Sequence, residues 1–320
     1  MNSKTFLLRF TIITTAIVVS ILLLNVYIDI YGLFLGTKDR KVFTNERTSK
    51  YLLSYRYIPE NYDGIIIGPS LSANLNPQRL KGYKIYNASI MGTNISDLHY
   101  LINNIIEKGD IKFVILCLDP YLTKDFGKKS ITINPKEYLG ALGSTNLIKT
   151  YLMYFVRKNN VLPGTYAKEI IDENGWNNFE LEMKNLDSKK IIEDKVKLHQ
   201  HEETKIDQRS YEELRDVLNQ LREKKIKILG YFSPVPYPLY AIGNKKYKEF
   251  ETSITKLFTK DDLVLNFNEE KYWPVTSNYQ IFIDHGHLSS LGQNFVLKEI
   301  ESTLDTIDSL KASTEAPTSN

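Results

Sequence analysis

The stretch "DGIIIGPSLSANLNP" (63–77) decides how this chain folds. Three isoleucines stand in a row, with no polar residue between them. Such a run belongs to a strand covered on both faces, as in a parallel sheet. It ends abruptly in Gly68-Pro69-Ser70, which puts Ser70 just past a strand's carboxyl end. Four further segments read as strands: "KIYNAS" (84–89), "KFVILCLDP" (112–120), "KILGYFSP" (227–234) and "DLVLNF" (262–267). Helical spacing falls between them. In "ISDLHYLINNIIEK" (95–108) the apolar positions are Leu98, Leu101, Ile102, Ile105 and Ile106. "SYEELRDVLNQLREKKI" (210–226) repeats the pattern with Leu214, Val217, Leu218 and Leu221. "SSLGQNFVLKEIESTL" (289–304) reads as a last helix capped by Ser289 or Ser290. Strands alternating with helices predict an α/β fold of three layers, αβα, around a central parallel sheet.

The domain so defined spans 61–305. Residues 123–208 break its rhythm, being rich in lysine and asparagine with only short apolar patches. They read as a mostly helical insertion that serves as a lid or a partner surface. Residues 37–60 read as a polar and aromatic connector, and 306–320 as a tail of disordered composition.

The first 36 residues are of another kind. Phe10 to Tyr27 is 18 residues without a charge. At about 1.5 Å per residue this reaches roughly 27 Å, close to a bilayer core of about 30 Å. Tyr27, Tyr31 and Phe34 follow, as interfacial aromatics do. "NVYIDIYGLFLG" offers no small-residue cleavage site, so residues 1–36 read as a retained single-pass membrane anchor. Charge leaves the orientation open. Lys38, Arg40, Lys41, Arg47 and Lys50 after the span favour a cytoplasmic domain, while Lys4 and Arg9 on a short tail resemble an uncleaved export signal.

A net charge of +3, with lysines scattered among acids, excludes a nucleic-acid footprint. The one cysteine, Cys117, lies inside an apolar run. It makes neither an internal disulfide nor a cysteine-based zinc site, and reads as a small buried hydrophobe.

Ligands of parallel α/β sheets bind beyond the carboxyl ends of the strands. The residues there are Ser70, then Asn87, Ser89, Gly92 and Asn94, then Asp119 and Tyr121, then Ser233 to Tyr237. Near the end, "FIDHGHLSSLGQ" adds Asp284, His285 and His287. A serine becomes nucleophilic when a base takes its proton and an acceptor orients that base. Asp284 and His287, three residues apart, fit base and orienter. Gly92 leaves a backbone N–H open to a developing oxyanion, and Asn94 adds an amide donor. Other readings remain for each piece. Gly-x-Ser after a strand is commonly a turn, and "DHGH" also has metal-ligand spacing. "HQH" (199–201) reads as a solvated helix face, and His99 as part of a half-buried helix.

A strand ending in Gly-x-Ser, an Asn/Gly-rich loop after the second strand, and Asp-x-x-His-Leu-Ser before the last helix occur here in order. That order resembles the SGNH/GDSL hydrolase superfamily across about residues 60–305, the insertion excepted. The resemblance implies a flavodoxin-like sheet. It also implies Ser70 as nucleophile, Asp284 and His287 as its partners, and Ser70, Gly92 and Asn94 around the oxyanion. Where the superfamily carries a Gly-x-Asn-Asp-like block, this chain reads "CLDPY" (117–121), so Asn94 is the substitute amide. An anchor, "IDIYGLF" and then such a domain are similar to the membrane-anchored bacterial envelope branch, which includes proteins of teichoic-acid D-alanylation and alginate O-acetylation. That branch implies a domain outside the cytoplasmic membrane, an acetyl or D-alanyl group, a cell-envelope glycan or glycopolymer as substrate, and a membrane-bound O-acyltransferase as partner. It calls for no metal or organic cofactor. The altered third block leaves a second reading, a catalytically degraded scaffold that binds the polymer or the partner.

Overall fold

Local sequence sets the elements, and two-sided burial arranges them. The computed structural model describes residues 3–35, 45–125, 133–161, 171–183 and 185–314. The chain opens with α1 (Ser3–Ile28), α2 (Glu46–Leu53) and α3 (Tyr57–Asn61). Strand β1 (Gly64–Ile67) runs into the short α4 (Ser70–Ala73), followed by β2 (Ile85–Asn87), α5 (Ile95–Lys108) and β3 (Phe113–Cys117). Then come α6 (Glu137–Gly140), α7 (Thr145–Lys158), α8 (Phe179–Glu182) and α9 (Ser188–Lys197). The sheet resumes with α10 (Gln208–Glu223), β4 (Lys227–Phe232), α11 (Tyr237–Thr255) and β5 (Leu263–Asn266). Last are α12 (Trp273–Thr276) and α13 (Ser290–Thr314).

Among the described residues the strands form one parallel sheet in the order β2-β1-β3-β4-β5. The three-layer α/β expectation holds. Alternate residues of "GIII" feed opposite layers. Ile65 and Ile67 share a core with Leu98 and Leu101 of α5 and with Leu214 and Leu218 of α10. Ile66 shares the other core with Val296 and Ile300 of α13. Each such fully buried side chain contributes roughly 1.5–3 kcal/mol relative to exposure.

The strand order reverses between β1 and β3, and a crevice opens beyond the carboxyl ends at such a point. Ser70 follows β1 and Asp119 follows β3, so both stand at the reversal. Gly68 makes the close approach feasible. A Cβ there would come within 2.5 Å of Cys117 Cβ and 2.6 Å of Ser72 Oγ.

Some boundaries differ from expectation. The expected connector, 37–60, holds α2 and all but the last residue of α3, and their Tyr51, Leu52, Leu53, Tyr57 and Ile58 belong to the core. Alternating tyrosines hid this, because their rings count as surface-tolerant in a sequence. The last helix continues to Thr314, beyond the expected start of a disordered tail at 306. The described parts of the insertion hold α6 to α9 together with an antiparallel bridge between Ile171 and Asn177 and non-helical stretches, while 126–132, 162–170 and 184 lie outside the described residues, as do 36 of the expected anchor and 37–44 of the connector.

Helix α1 has 26 residues, a mean hydropathy of 2.4 in its most apolar window, and no buried residue in that window. It is long and apolar enough to cross a membrane. A core helix of a soluble fold would be mostly covered; this one is bare. Its carboxyl end is tied down. Asn25 Nδ2 donates to the carbonyls of Ala141 and Leu142 at 3.1 and 3.2 Å, and Tyr151 Oη donates to Asn25 Oδ1. Tyr31 Oη lies 3.3 Å from Thr150 Oγ1, and Arg56 donates to the Phe34 carbonyl.

Candidate active site

The Asp284–His287 pair is built within seven residues. Phe282 and Leu288 pair as an antiparallel bridge, and Ile283 N–H donates to the His287 carbonyl at 2.8 Å. Inside this closed turn, Asp284 Oδ1 accepts the N–H groups of Gly286 and His287, each at 2.8 Å. Asp284 Oδ2 lies 2.8 Å from His287 Nδ1. Burial raises the Asp284 carboxyl. The His287 hydrogen bond and charge, with the two backbone donors, outweigh that and hold it at about 2. An ionised carboxylate only accepts, so the proton sits on Nδ1 and Nε2 carries the lone pair. Nε2 is buried and has no hydrogen-bond partner. The Phe179 ring of α8 stands edge-on to the imidazole at 5.0 Å, and Phe179 packs with Ala73 and Ile283.

Ser70 and His287 line the same cavity, of about 200 Å³, with Asp119, Tyr121, Glu202 and Tyr247. No hydrogen bond joins Ser70 Oγ to His287 in this structure. Such contacts are often loose until substrate arrives. Asp119 Oδ1 accepts the Tyr121 N–H at 2.8 Å. Burial pushes the Asp119 carboxyl up to about 7, and the charge of Glu202 adds to this. The Tyr121 N–H, His287 and Lys124 pull the other way. Glu202 lies 3.3 Å from His285 Nε2, and that contact lowers its own carboxyl value.

Of the three expected oxyanion residues, Ser70 lines the cavity. Gly92 and Asn94 are not on the cavity wall. Asn94 Nδ2 donates to the Lys124 carbonyl at 3.1 Å, so its amide is already committed. Gly92 adopts φ +62 in open space. Their loop is nonetheless held beside the serine turn, because Ile90 N–H donates to the Gly68 carbonyl at 3.1 Å. Helix α2 clamps that loop from outside. Lys50 Nζ donates to the Ser89 carbonyl, Met91 N–H donates to Glu46 Oε2 at 3.2 Å, and Arg47 pairs with Asp97.

"HQH" is not a helix face. Helix α9 stops at Lys197, His199 takes φ +51, and His201 stands on the cavity wall against the Tyr247 ring. His99 is half-buried in α5, as its helical pattern suggests. "DHGH" splits its histidines between Glu202 and Asp284. Among the described residues no group of three or more such side chains is placed to hold a metal ion. Sequence reasoning missed the roles of Phe179, His201 and Glu202, which belong to the insertion. It placed Asp119 at a strand end but assigned it nothing.

Fold and cavity together define a class: a parallel α/β protein in which a serine and the histidine of an Asp-His pair line one cavity at the carboxyl edge of the sheet. No model of a known protein family matches the sequence, and no curated protein does. Among solved structures, a provisionally named platelet activating factor from Streptococcus pneumonia is 12% identical with a TM-score of 0.44, over 81% of this chain and 91% of that one. An acetyl xylan esterase, AlAXEase, is 12% identical with a TM-score of 0.39, over 75% of this chain and 98% of that one.

Proposed function

We propose that this chain is a membrane-anchored serine acyltransferase or esterase of the SGNH type. One observation carries the reading: His287, oriented by an ionised Asp284, keeps a buried and unpartnered Nε2 in the cavity that Ser70 lines. A buried nitrogen lone pair without a donor is costly, and sites that keep one use it.

In the proposed reaction Ser70 Oγ attacks an ester or thioester carbonyl and His287 Nε2 takes its proton. The tetrahedral intermediate collapses, Nε2 returns the proton to the leaving group, and the acyl group stays on Ser70. An acceptor hydroxyl then attacks, giving its proton to Nε2, and the serine is released by the reverse steps. Water as acceptor gives hydrolysis, and a glycan hydroxyl gives transfer; the triad serves both. The oxyanion is assigned first to the Ser70 N–H, on the cavity wall, while the Gly92 N–H, off that wall, serves only if its loop moves in with substrate. Asp119 supplies a further donor when its carboxyl is protonated, at the strand end where an asparagine amide was expected. Ionised, it repels the oxyanion.

The substrate proposed is a cell-envelope glycan or glycopolymer, acylated or deacylated outside the cytoplasmic membrane with a membrane-bound O-acyltransferase as partner. Its support is the bare span joined to this site. The second reading, a silent scaffold, draws on Gly92 and Asn94 lying off the wall. The deciding experiment traps the acyl-enzyme: full-length protein is mixed with an activated acetyl ester, quenched in acid and digested. Acetyl on the peptide containing Ser70, lost in Ser70→Ala with an unchanged circular dichroism spectrum, supports catalysis. An unacylated Ser70, together with a Ser70→Ala strain that keeps its envelope acylation, supports the scaffold.

A further inference from the structure

We infer that the α6–α7 hairpin, residues 137–158, lies on the membrane and inserts one apolar face into the lipid headgroup boundary. The inference rests on reading α1 as a membrane span. Three observations lead to it.

The first is depth. Asn25, one turn before the end of α1, donates to the carbonyls of Ala141 and Leu142, and Tyr151 of α7 closes the triangle. Residue 25 is only about 4.5 Å from the helix end at Ile28 by helical rise. A hairpin tied to that point sits at the level where the span leaves the bilayer. The Tyr31–Thr150 contact repeats the tie one step further out.

The second is the pattern of α7. Its inward face carries Leu147 and Thr150, both buried. A flanking face carries Ile148, Leu152 and Phe155, which are 52%, 61% and 61% exposed. The spacing of four and three residues places them on one stripe. Leu139 and Leu142, on and after α6 in the same hairpin, are also exposed, at 67% and 36%. Lone exposed leucines are ordinary, but a contiguous stripe marks an interface.

The third is continuity and charge. The α1 surface near the tie is itself apolar and bare, with Leu23 65% and Tyr27 81% exposed. The stripe therefore continues the lipid-facing surface of the span rather than standing apart from it. Lys149 and Lys158 border the stripe in the helix, as cations do on helices that rest on anionic headgroups. Lipid is the occupant that matches depth, apolarity and charge together.

The test uses the full chain in vesicles of phosphatidylcholine and phosphatidylglycerol. Cysteine is placed singly at Leu152, Phe155, Lys245 and Ile17 and labelled with an environment-sensitive dye. Native Cys117 is buried, and burial pushes its thiol up, so it stays unlabelled. The Leu152→Cys and Phe155→Cys labels are expected to shift to the blue and to lose intensity with brominated lipid. The Lys245→Cys label, on an exposed position of α11, should respond only to aqueous iodide. Iodide quenching at 152 and 155 equal to that at 245 overturns the inference. So does shielding from both quenchers, which means that protein covers the stripe. The Ile17→Cys label tests the span by itself: without bromolipid quenching there, it is the anchor reading that fails. A Leu152→Ser/Phe155→Ser double variant with unchanged unfolding should show weaker bromolipid quenching from a label at Ile148→Cys.

Discussion

The two halves of the cavity are made in opposite ways. The base half is local: Asp284, Gly286 and His287 organise one another within a turn closed by Phe282 and Leu288. The oxyanion half is assembled across the chain. The loop at 89–94 behind that wall is held by Glu46 and Lys50 of α2, it is joined to the serine turn by the Ile90 N–H on the Gly68 carbonyl, and the carboxyl on the wall is Asp119. A local half survives most distant changes. A distributed half gives way when any of its supports does.

The sharpest break in that contrast is Asp284→Asn. The local turn keeps two hydrogen bonds through Oδ1, but Nδ1 loses its anionic partner. Turnover on an activated ester is expected to fall by about 10²–10⁴-fold, with the thermal midpoint moved by only a few degrees. Lys50→Met attacks the distributed half. Lys50 is fully buried against Glu46 at 3.1 Å and the Ser89 carbonyl. Removing one partner of a buried pair should cost about 3 kcal/mol in a urea melt, and turnover should fall with it because the loop loosens. A variant as stable and as active as the parent would show that α2 is a bystander.

Asp119→Asn comes next, and its sign follows from protonation. Burial holds the folded carboxyl up at about 7, against an ordinary aspartate value of 3.8. Between those values the fold holds a proton that the unfolded chain has lost. Stability therefore falls as pH rises from about 4 to about 7 and stays lower above. Asparagine removes that loss, so the variant should be the more stable by about 2–4 kcal/mol at pH 8, and equal near pH 4. Its activity should lose the alkaline decline that ionisation of Asp119 imposes on the parent. An unchanged pH profile would remove Asp119 from the oxyanion. The smallest effect is expected for Phe179→Ala, which frees the His287 ring on one side. Turnover should fall by about tenfold or less, while ester KM stays level.

What the sequence made legible tracks the same contrast. "GIII", "KFVILCLDP" and the helix at 95–108 were readable because burial on a regular element leaves a period in the text. Asp284 and His287 were readable because three residues separate them. Lys50 was not, since a lysine reads as surface until a carbonyl and a carboxylate from the fold surround it. Gly92 and Asn94 were placed by order along the chain, which says nothing of the Lys124 carbonyl that takes the Asn94 amide. His201 and Glu202 stand in a charged segment whose lining role appears only when the insertion closes against Tyr247.

The ties at Asn25, Tyr31 and Phe34 bear on reach. A domain on a flexible leash of n residues wanders over roughly 5–6 Å × √n and samples a broad shell above its anchor. A domain bolted to its anchor within one helical turn keeps a set working height instead. On the proposed reading, substrate groups at that height would meet the serine at high effective concentration, and groups further out would not meet it at all. Were the substrate a long polymer, as proposed, a tool fixed at the membrane would modify the part that passes it, and the pattern of modification would record how the chain was fed past the bolt.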